Sequence, residues 1–227
     1  MNDKKYSVLI IDDHPLISEA YKTAFNFYAN QNEEITFSIK TAEDCDNGFR
    51  LINDYAKKNI DLHIVFLDIK LPPSADGKIV SGEDLGLKIN KLLPNTKIIV
   101  STTFNDNYRI HSIFKSLNPD GFLIKNDITP QELIDTINTV LNDPPYYSKT
   151  VVKLLRKQVA NDFILDNIDR KILYELSLGT RMKDLPSVLP LSIAGIEKRK
   201  RHLQEIFNIK GGGDKELLLV AKEKGFI

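Results

Sequence analysis

Four apolar runs in the first half of the chain each stop at a polar residue. Val8-Leu9-Ile10-Ile11 ends at Asp12-Asp13, and Ile64-Val65-Phe66-Leu67 ends at Asp68. Ile98-Ile99-Val100 ends at Ser101-Thr102, and Phe122-Leu123-Ile124 ends at Lys125. Unbroken runs of this length read as strands buried on both faces, as in a parallel sheet. A shorter strand is predicted over Ile35 to Lys40. Helical spacing fills the gaps. After His14-Pro15, with Pro near the first helical position, Ile17, Ala20, Tyr21, Ala24, Phe25 and Tyr28 mark one helix. Further helices are predicted over Asp46 to Lys57, from Gly82 to Leu93 before Pro94, and over Asp106 to Leu117. Thr129-Pro130-Gln131-Glu132 is a capping box that starts another. Five strand-helix units in a row predict an α/β domain with an open, doubly wound, five-stranded parallel sheet.

The pattern changes at Asn142-Asp143-Pro144-Pro145. We divide the chain there, into a domain over residues 1–143, a linker with a helix over 144–160, and a small all-α domain over 161–227. The linker helix is predicted over Tyr147 to Val159. In the last domain Asp166 caps a first helix and a short helix spans Met182 to Leu189, limited by Pro186. Ser192 caps a long helix to about Phe207, and Asp214 caps a last one after Gly211-Gly212-Gly213.

Charge and composition narrow the function. Among 227 residues, Lys+Arg and Asp+Glu each total 31. The whole chain therefore has no field that draws it to nucleic acid or membrane, and such a role must come from a local patch. No apolar stretch approaches the ~20 residues of a membrane span, and the start leads straight into a strand, without room for a leader. Cys45 is the only cysteine. It cannot form an internal disulfide, which points to a reducing cytoplasm and an inert thiol.

Ligands of an open parallel sheet bind beyond the carboxyl ends of its strands. Asp12, Asp13, Asp68, Thr102 and Lys125 then meet on one rim, a set that suits a hard divalent cation and a phosphoryl group. These positions resemble those of a two-component receiver domain, which has a flavodoxin-like fold, and the resemblance covers about the first 143 residues. Asp12-Asp13 matches its acidic pair and Asp68 its phosphorylated aspartate. Pro72 matches the proline of the following loop, Thr102 its hydroxyl residue, Lys125 its lysine and Phe122 its aromatic switch residue. The resemblance implies a phosphoacceptor with at most self-catalysed phosphotransfer and autodephosphorylation, rather than an enzyme.

The chemistry agrees with that resemblance. Asp68 is the expected nucleophile in an in-line phosphoryl transfer. Asp13, Asp68 and the backbone carbonyl of Lys70 are the expected Mg²⁺ ligands, with Asp12 acting through water. Lys125 pairs with phosphoryl oxygens, and Thr102 donates a hydrogen bond only in the phosphorylated state. A phosphatase of the aspartyl-phosphate class would want a second acid where Lys70 stands, and no G-x-G-x-x-G follows the first strand. The segment 73–81 is longer than the loop usual at this place. It is either a tolerated surface insertion or a contact surface for a kinase.

Residues Leu165 to Ile227 resemble the LuxR-type helix-turn-helix output domain of the NarL/FixJ class of response regulators. Leu165-Asp166, Asp169, Ile172-Leu173, Leu178-Gly179, Lys183-Asp184-Leu185, Ser192 and Ile196 carry the match. On the predicted recognition helix Ile193, Ile196, Leu203, Ile206 and Phe207 share one face, and Lys198 and Arg201 lie opposite. Lys198 and Arg201 are the expected base readers. Arg199, Lys200 and Lys183 are better placed for phosphates, with Ser192 at the helix entry. Gly195, Glu197, Arg199 and Pro186 depart from the family pattern, and Glu197 reverses a charge. The expected partners are a sensor histidine kinase, double-stranded DNA and a second copy when phosphorylated. A rival reading points the C-terminal helices at a protein instead. Leu217, Leu218, Leu219 and Val220 offer more apolar positions than one buried face requires, for a symmetric contact or for packing within the domain.

Overall fold

A computed structural model describes residues 4–104, 106–156, 165–209, 211 and 213–227. Strands β1 (Lys4–Ile11), β2 (Ile35–Ala42), β3 (Ile64–Asp68), β4 (Lys97–Thr102), β5 (Gly121–Ile124) and β6 (Tyr146–Tyr147) form one sheet in the order β2-β1-β3-β4-β5-β6. Every pairing is parallel. The reversal of order beside β1 opens a crevice at the carboxyl ends of β1 and β3. Helices α1 (Pro15–Gln31), α2 (Cys45–Lys58), α3 (Gly82–Leu92), α4 (Asn107–Leu117), α5 (Pro130–Asn142) and α6 (Lys149–Arg156) connect or follow the strands.

The central strands bury every side chain of their apolar runs, as a sheet covered on both sides must. On one face Val8, Ile10, Ile64, Phe66, Ile99 and Leu123 pack with Tyr21, Phe25 and Tyr28 of α1 and Leu133, Ile137 and Val140 of α5. The Tyr21 and Phe66 rings stack with centroids 4.5 Å apart, and Phe25 meets Phe66 edge-on at 5.7 Å. On the other face α2 comes close to the sheet and to α3 through Gly48, where an added Cβ would lie 3.2 Å from both Ile11 and Leu85.

The sheet has six strands rather than the five expected. The extra one comes from the segment after Pro144-Pro145, which cannot enter a helix directly. Its backbone runs along the open edge of β5: Tyr146 N donates to Asp120 O (2.9 Å) and Ser148 N to Phe122 O (3.0 Å). The linker helix accordingly begins at Lys149 and not at Tyr147. Residues 157–159 of the expected helix lie outside the described residues.

The chain divides into two compact units. One holds Met1–Asn105 and Ser116–Arg156, and the other Asp106–Lys115 with Lys157–Ile227. The second unit contains α7 (Asn167–Ser177), α8 (Ile193–Ile206) and α9 (Asp214–Glu223). Asp166 and Asp169 close a full capping box on α7. Pro186 turns the short helix expected over Met182 to Leu189 into a single 3-10 turn, Leu185–Ser187. Gly213, not Asp214, is the N-cap of α9, and Asp214 lies in its first turn. Leu173, Leu203, Phe207, Leu217 and Phe226 form one apolar cluster, and Ile172, Leu176, Leu185, Leu189 and Ile196 another.

Cys45 is fully buried at the start of α2. Burial, with Asp84, Asp44 and Asp46 nearby, pushes its thiol up to about 12. The reactive thiolate is therefore scarce at neutral pH and out of reach. A thiol reagent such as DTNB is expected to leave Cys45 untouched in the folded chain and to titrate it fully in denaturant. Rapid labelling under native conditions would show that this end of α2 is open.

Candidate functional site

Each strand end delivers one group to the rim. Asp12 follows β1, Asp68 closes β3, Thr102 closes β4 and Lys125 follows β5. Asp12 is 1% exposed, Asp68 2%, and the Lys125 side chain 4%. The Lys125 Nζ lies 2.7 Å from Asp68 Oδ2 and 2.7 Å from Asp12 Oδ2. The other Asp68 oxygen, Oδ1, accepts from the backbone N of Lys70 at 2.8 Å. Desolvation still outweighs the ammonium, and the Asp68 carboxyl is held above the usual carboxylate range. A second positive charge at this rim would relieve that cost.

The donor atoms fit such a charge. One ligand atom each from Asp12, Asp13, His14 and Asp68 lies within 4.8 Å of the others. The buried Oδ1 of Asp13 meets no conventional hydrogen-bond donor, only the His14 ring as an ion-pair neighbour. A carboxylate set of this kind suits a hard divalent cation. Lys70 is exposed just after the acceptor and its N–H is used on Asp68, so the chain bends sharply where its carbonyl was expected to serve as a ligand.

The hydroxyls behind the rim are ordered. Thr102 is buried and its Oγ1 accepts from Phe104 N at 3.2 Å. Ser101 bonds to the Tyr21 hydroxyl at 2.6 Å. Burial, reinforced by Asp12 and Asp68, pushes the Tyr21 phenol up, so it stays a neutral hydroxyl. Phe122 is fully buried on β5, in register with Val100 and Tyr147. Pro72 is exposed on the loop beyond Asp68.

The loop 73–81 is a built turn. Ser74 N donates to Ile79 O (2.8 Å) and Gly77 N to Ser74 O (2.9 Å), with Gly77 at φ 66°. Ser74 Oγ donates to Asp76 Oδ1 and accepts from Ile79 N. Ala75 N ties the turn to Asp46 of α2 at 2.9 Å, and Val80 N to Asp84 of α3 at 2.8 Å. The turn returns to the site at Gly82. There Gly82 N donates to Ile69 O, and a Cβ would sit 1.8 Å from the Asp68 carbonyl oxygen. Only glycine permits this approach. Sequence reasoning missed Gly82, Tyr21 and His14 as parts of the site. The position of His14 directly after the acidic pair was the one available signal.

In the second unit Ser192 caps α8, its Oγ accepting from Gly195 N at 3.3 Å. Lys198 and Arg201 are exposed on α8, as its helical phase predicts, and Lys183 is exposed before the 3-10 turn. Arg199 and Lys200, expected at a phosphate backbone, are paired inside the unit instead. Arg199 Nη1 donates to Asp166 (2.7 Å) and Asp169 (2.8 Å), and Lys200 pairs with Asp214. Ile193, placed on the apolar stripe by its spacing, is largely open to solvent.

Residues 8–138 match the response regulator receiver domain. The oxygen regulatory protein NreC of Staphylococcus epidermidis is 24% identical over 216 residues, covering 89% of this chain and 91% of that protein. RcsB from Salmonella enterica serovar Typhimurium, solved bound to promoter rprA in the presence of phosphomimetic BeF3-, superposes with a TM-score of 0.65. It is 22% identical and covers 96% of this chain and 99% of its own. A structure of two RcsB dimers bound to two parallel DNAs gives a TM-score of 0.57 at 22% identity, with 96% and 98% coverage. These structural likenesses extend over both units and show the fold.

Gly82→Ala is expected to push the loop off the Asp68 carbonyl and to slow phosphoryl acceptance by about a hundredfold, the scale of a misplaced reacting group. Single-turnover labelling with an acyl phosphate measures it, with circular dichroism confirming the fold. Labelling at the parent rate would show that the close approach at Gly82 does not position the acceptor.

Proposed function

The chain belongs to the response regulator receiver family, and from that premise we propose a phosphorylation-controlled transcription regulator in which Asp68 takes a phosphoryl group from a sensor histidine kinase. It acts as a phosphoacceptor rather than as an enzyme. The observation that carries the reading is the Lys125 ammonium 2.7 Å from two buried carboxylates at neighbouring strand ends. Asp68 Oδ bonds to phosphorus as the donor's P–N bond breaks, in line. Lys125 then follows the charge from Asp68 onto the phosphoryl oxygens. Thr102 exchanges its bond from Phe104 N for one donated to the phosphoryl group, which draws the end of β4 inward. Phe122, already buried beside β4, acts as the aromatic switch residue and repacks as Thr102 moves. Asp13, Asp68 and the Lys70 carbonyl would hold a Mg²⁺ ion, with Asp12 helping through water, and that ion would neutralise charge on the incoming phosphoryl oxygens.

The domain boundaries follow the same reading: a receiver over 1–143, a linker over 144–160 and an output domain over 161–227. We place the protein in the cytoplasm. Among the described residues no helix is long and apolar enough to cross a membrane. The output domain is proposed to bind double-stranded DNA as a dimer when the receiver is phosphorylated. Of the apolar set on α9, Leu217 is buried and Leu218 and Val220 pack against the unit's own clusters. Leu219, 53% exposed, remains for a symmetric contact. The exposed Glu197 on α8, with Arg199 and Lys200 neutralised, favours a second reading in which the helices address a protein partner.

Two experiments test these roles. An acyl phosphate with Mg²⁺ is expected to add one phosphoryl group, read by intact mass, and Asp68→Asn to abolish it. Persistent labelling of that variant at another residue would overturn the acceptor. On a genomically selected duplex, Lys198→Ala or Arg201→Ala is expected to cost about 1–3 kcal/mol and relax base preference, without changing the melting temperature. Arg199→Ala is expected to lower stability by about 1 kcal/mol, discounted for its partial exposure. If the phosphorylated chain selects no duplex, the protein-partner reading stands instead.

A further inference from the structure

The acidic pocket has a nitrogen neighbour. His14 is the N-cap of α1, directly before Pro15, and accepts no part in capping through its side chain. More than half of its side chain faces solvent, yet the ring turns inward. Nδ1 stands 2.5 Å from Asp13 Oδ1 and 3.4 Å from Asp12 Oδ1. The backbone enforces the approach, because His14 N donates to Asp12 Oδ1 at 3.0 Å and Pro15 restricts the residue before it. The charges divide in a definite way. Lys125 occupies Asp12 and Asp68, which leaves Asp13 to the imidazole.

Resting on the reading of this pocket as the cation and phosphoryl site, we propose that His14 Nδ1 is itself a ligand of the bound cation. The pocket then prefers manganese(II), or another first-row divalent ion, to magnesium. Magnesium takes oxygen donors and keeps its waters. Imidazole nitrogen suits the first-row ions, whose affinity for such mixed sites rises along the series. Asp13 and His14 are adjacent in sequence and their donor atoms are already side by side, so little chain movement brings both onto one ion.

Pulsed EPR on the full, tag-free chain loaded with manganese(II) gives a direct readout. The wild type is expected to show ¹⁴N hyperfine coupling from one imidazole, absent in His14→Ala and in His14→Gln. Stoichiometric manganese without nitrogen coupling in the wild type overturns the proposal. Calorimetry supplies the preference. His14→Gln is expected to lose about tenfold in manganese affinity, the lower end of what a lost partner around a metal costs, and to keep its magnesium affinity. Equal loss for both ions overturns the preference. Asp13→Ala separates the two levels of the reading. If that variant binds manganese as the wild type does, the ion sits elsewhere and the cation site at the acidic pocket fails too. If it loses manganese while the wild type lacks nitrogen coupling, the pocket stands and only the role of His14 falls.

Discussion

Two carboxylates and one ammonium, all almost fully buried, meet at the carboxyl end of the sheet. Isolated charges in such a place cost several kcal/mol each. The pairing of Lys125 with both Asp12 and Asp68 makes their burial tolerable, and removing one partner of a pair like this costs about 3–5 kcal/mol. The balance is incomplete. Asp13 adds a third carboxylate, and the Asp68 carboxyl remains raised despite the lysine. A site with surplus negative charge and one fixed ammonium favours an added cation and then an added phosphoryl group. The same imbalance explains why the surroundings are so firmly built. Gly82 presses on the Asp68 carbonyl, Lys70 N holds Oδ1, and Tyr21 fixes Ser101 beside it.

Much of this was legible in the sequence because strand ends are legible. Apolar runs buried on both faces fix where β1, β3, β4 and β5 stop, and the residue after each run is then a rim residue by topology. Asp12, Asp68 and Lys125 meet as that logic requires, and Thr102, one position beyond Ser101, closes β4. β6 escaped because two residues carry no periodicity, and its pairing is made by backbone groups of Tyr146 and Ser148 that any sequence possesses. The loop 73–81, by its length alone, leaves open a tolerated insertion or a contact surface for a kinase. Its order comes from side chains bonding to backbone over short distances, as at Ser74, Asp76 and Asp84, and such bonds leave no pattern in hydropathy.

Spacing separated the faces of α8 except at Ile193, which is exposed, and did not reveal the fate of its charges. Helical phase put Lys198 and Arg201 outward, and they are exposed. It could not show that Arg199 reaches Asp166 and Asp169, 33 and 30 positions away, since that depends on how α7 packs. The basic run Lys198-Arg199-Lys200-Arg201 thus splits: the inner two charges pair within the unit and the outer two face outward. Arg suits the structural position, where its Nη1 donates to two carboxylates at once.

The central claim is that the Lys125–Asp12–Asp68 cluster is a switch and not merely a buried ion pair. Hydrogen exchange on the full chain, with and without a divalent ion plus beryllofluoride as the phosphoryl mimic, tests it most directly. The account predicts changed protection at the end of β4, over 101–104, and at the end of β5, over 122–126, with neither change in Asp68→Asn. Unaltered exchange in the parent chain, or the same change in Asp68→Asn, would contradict it.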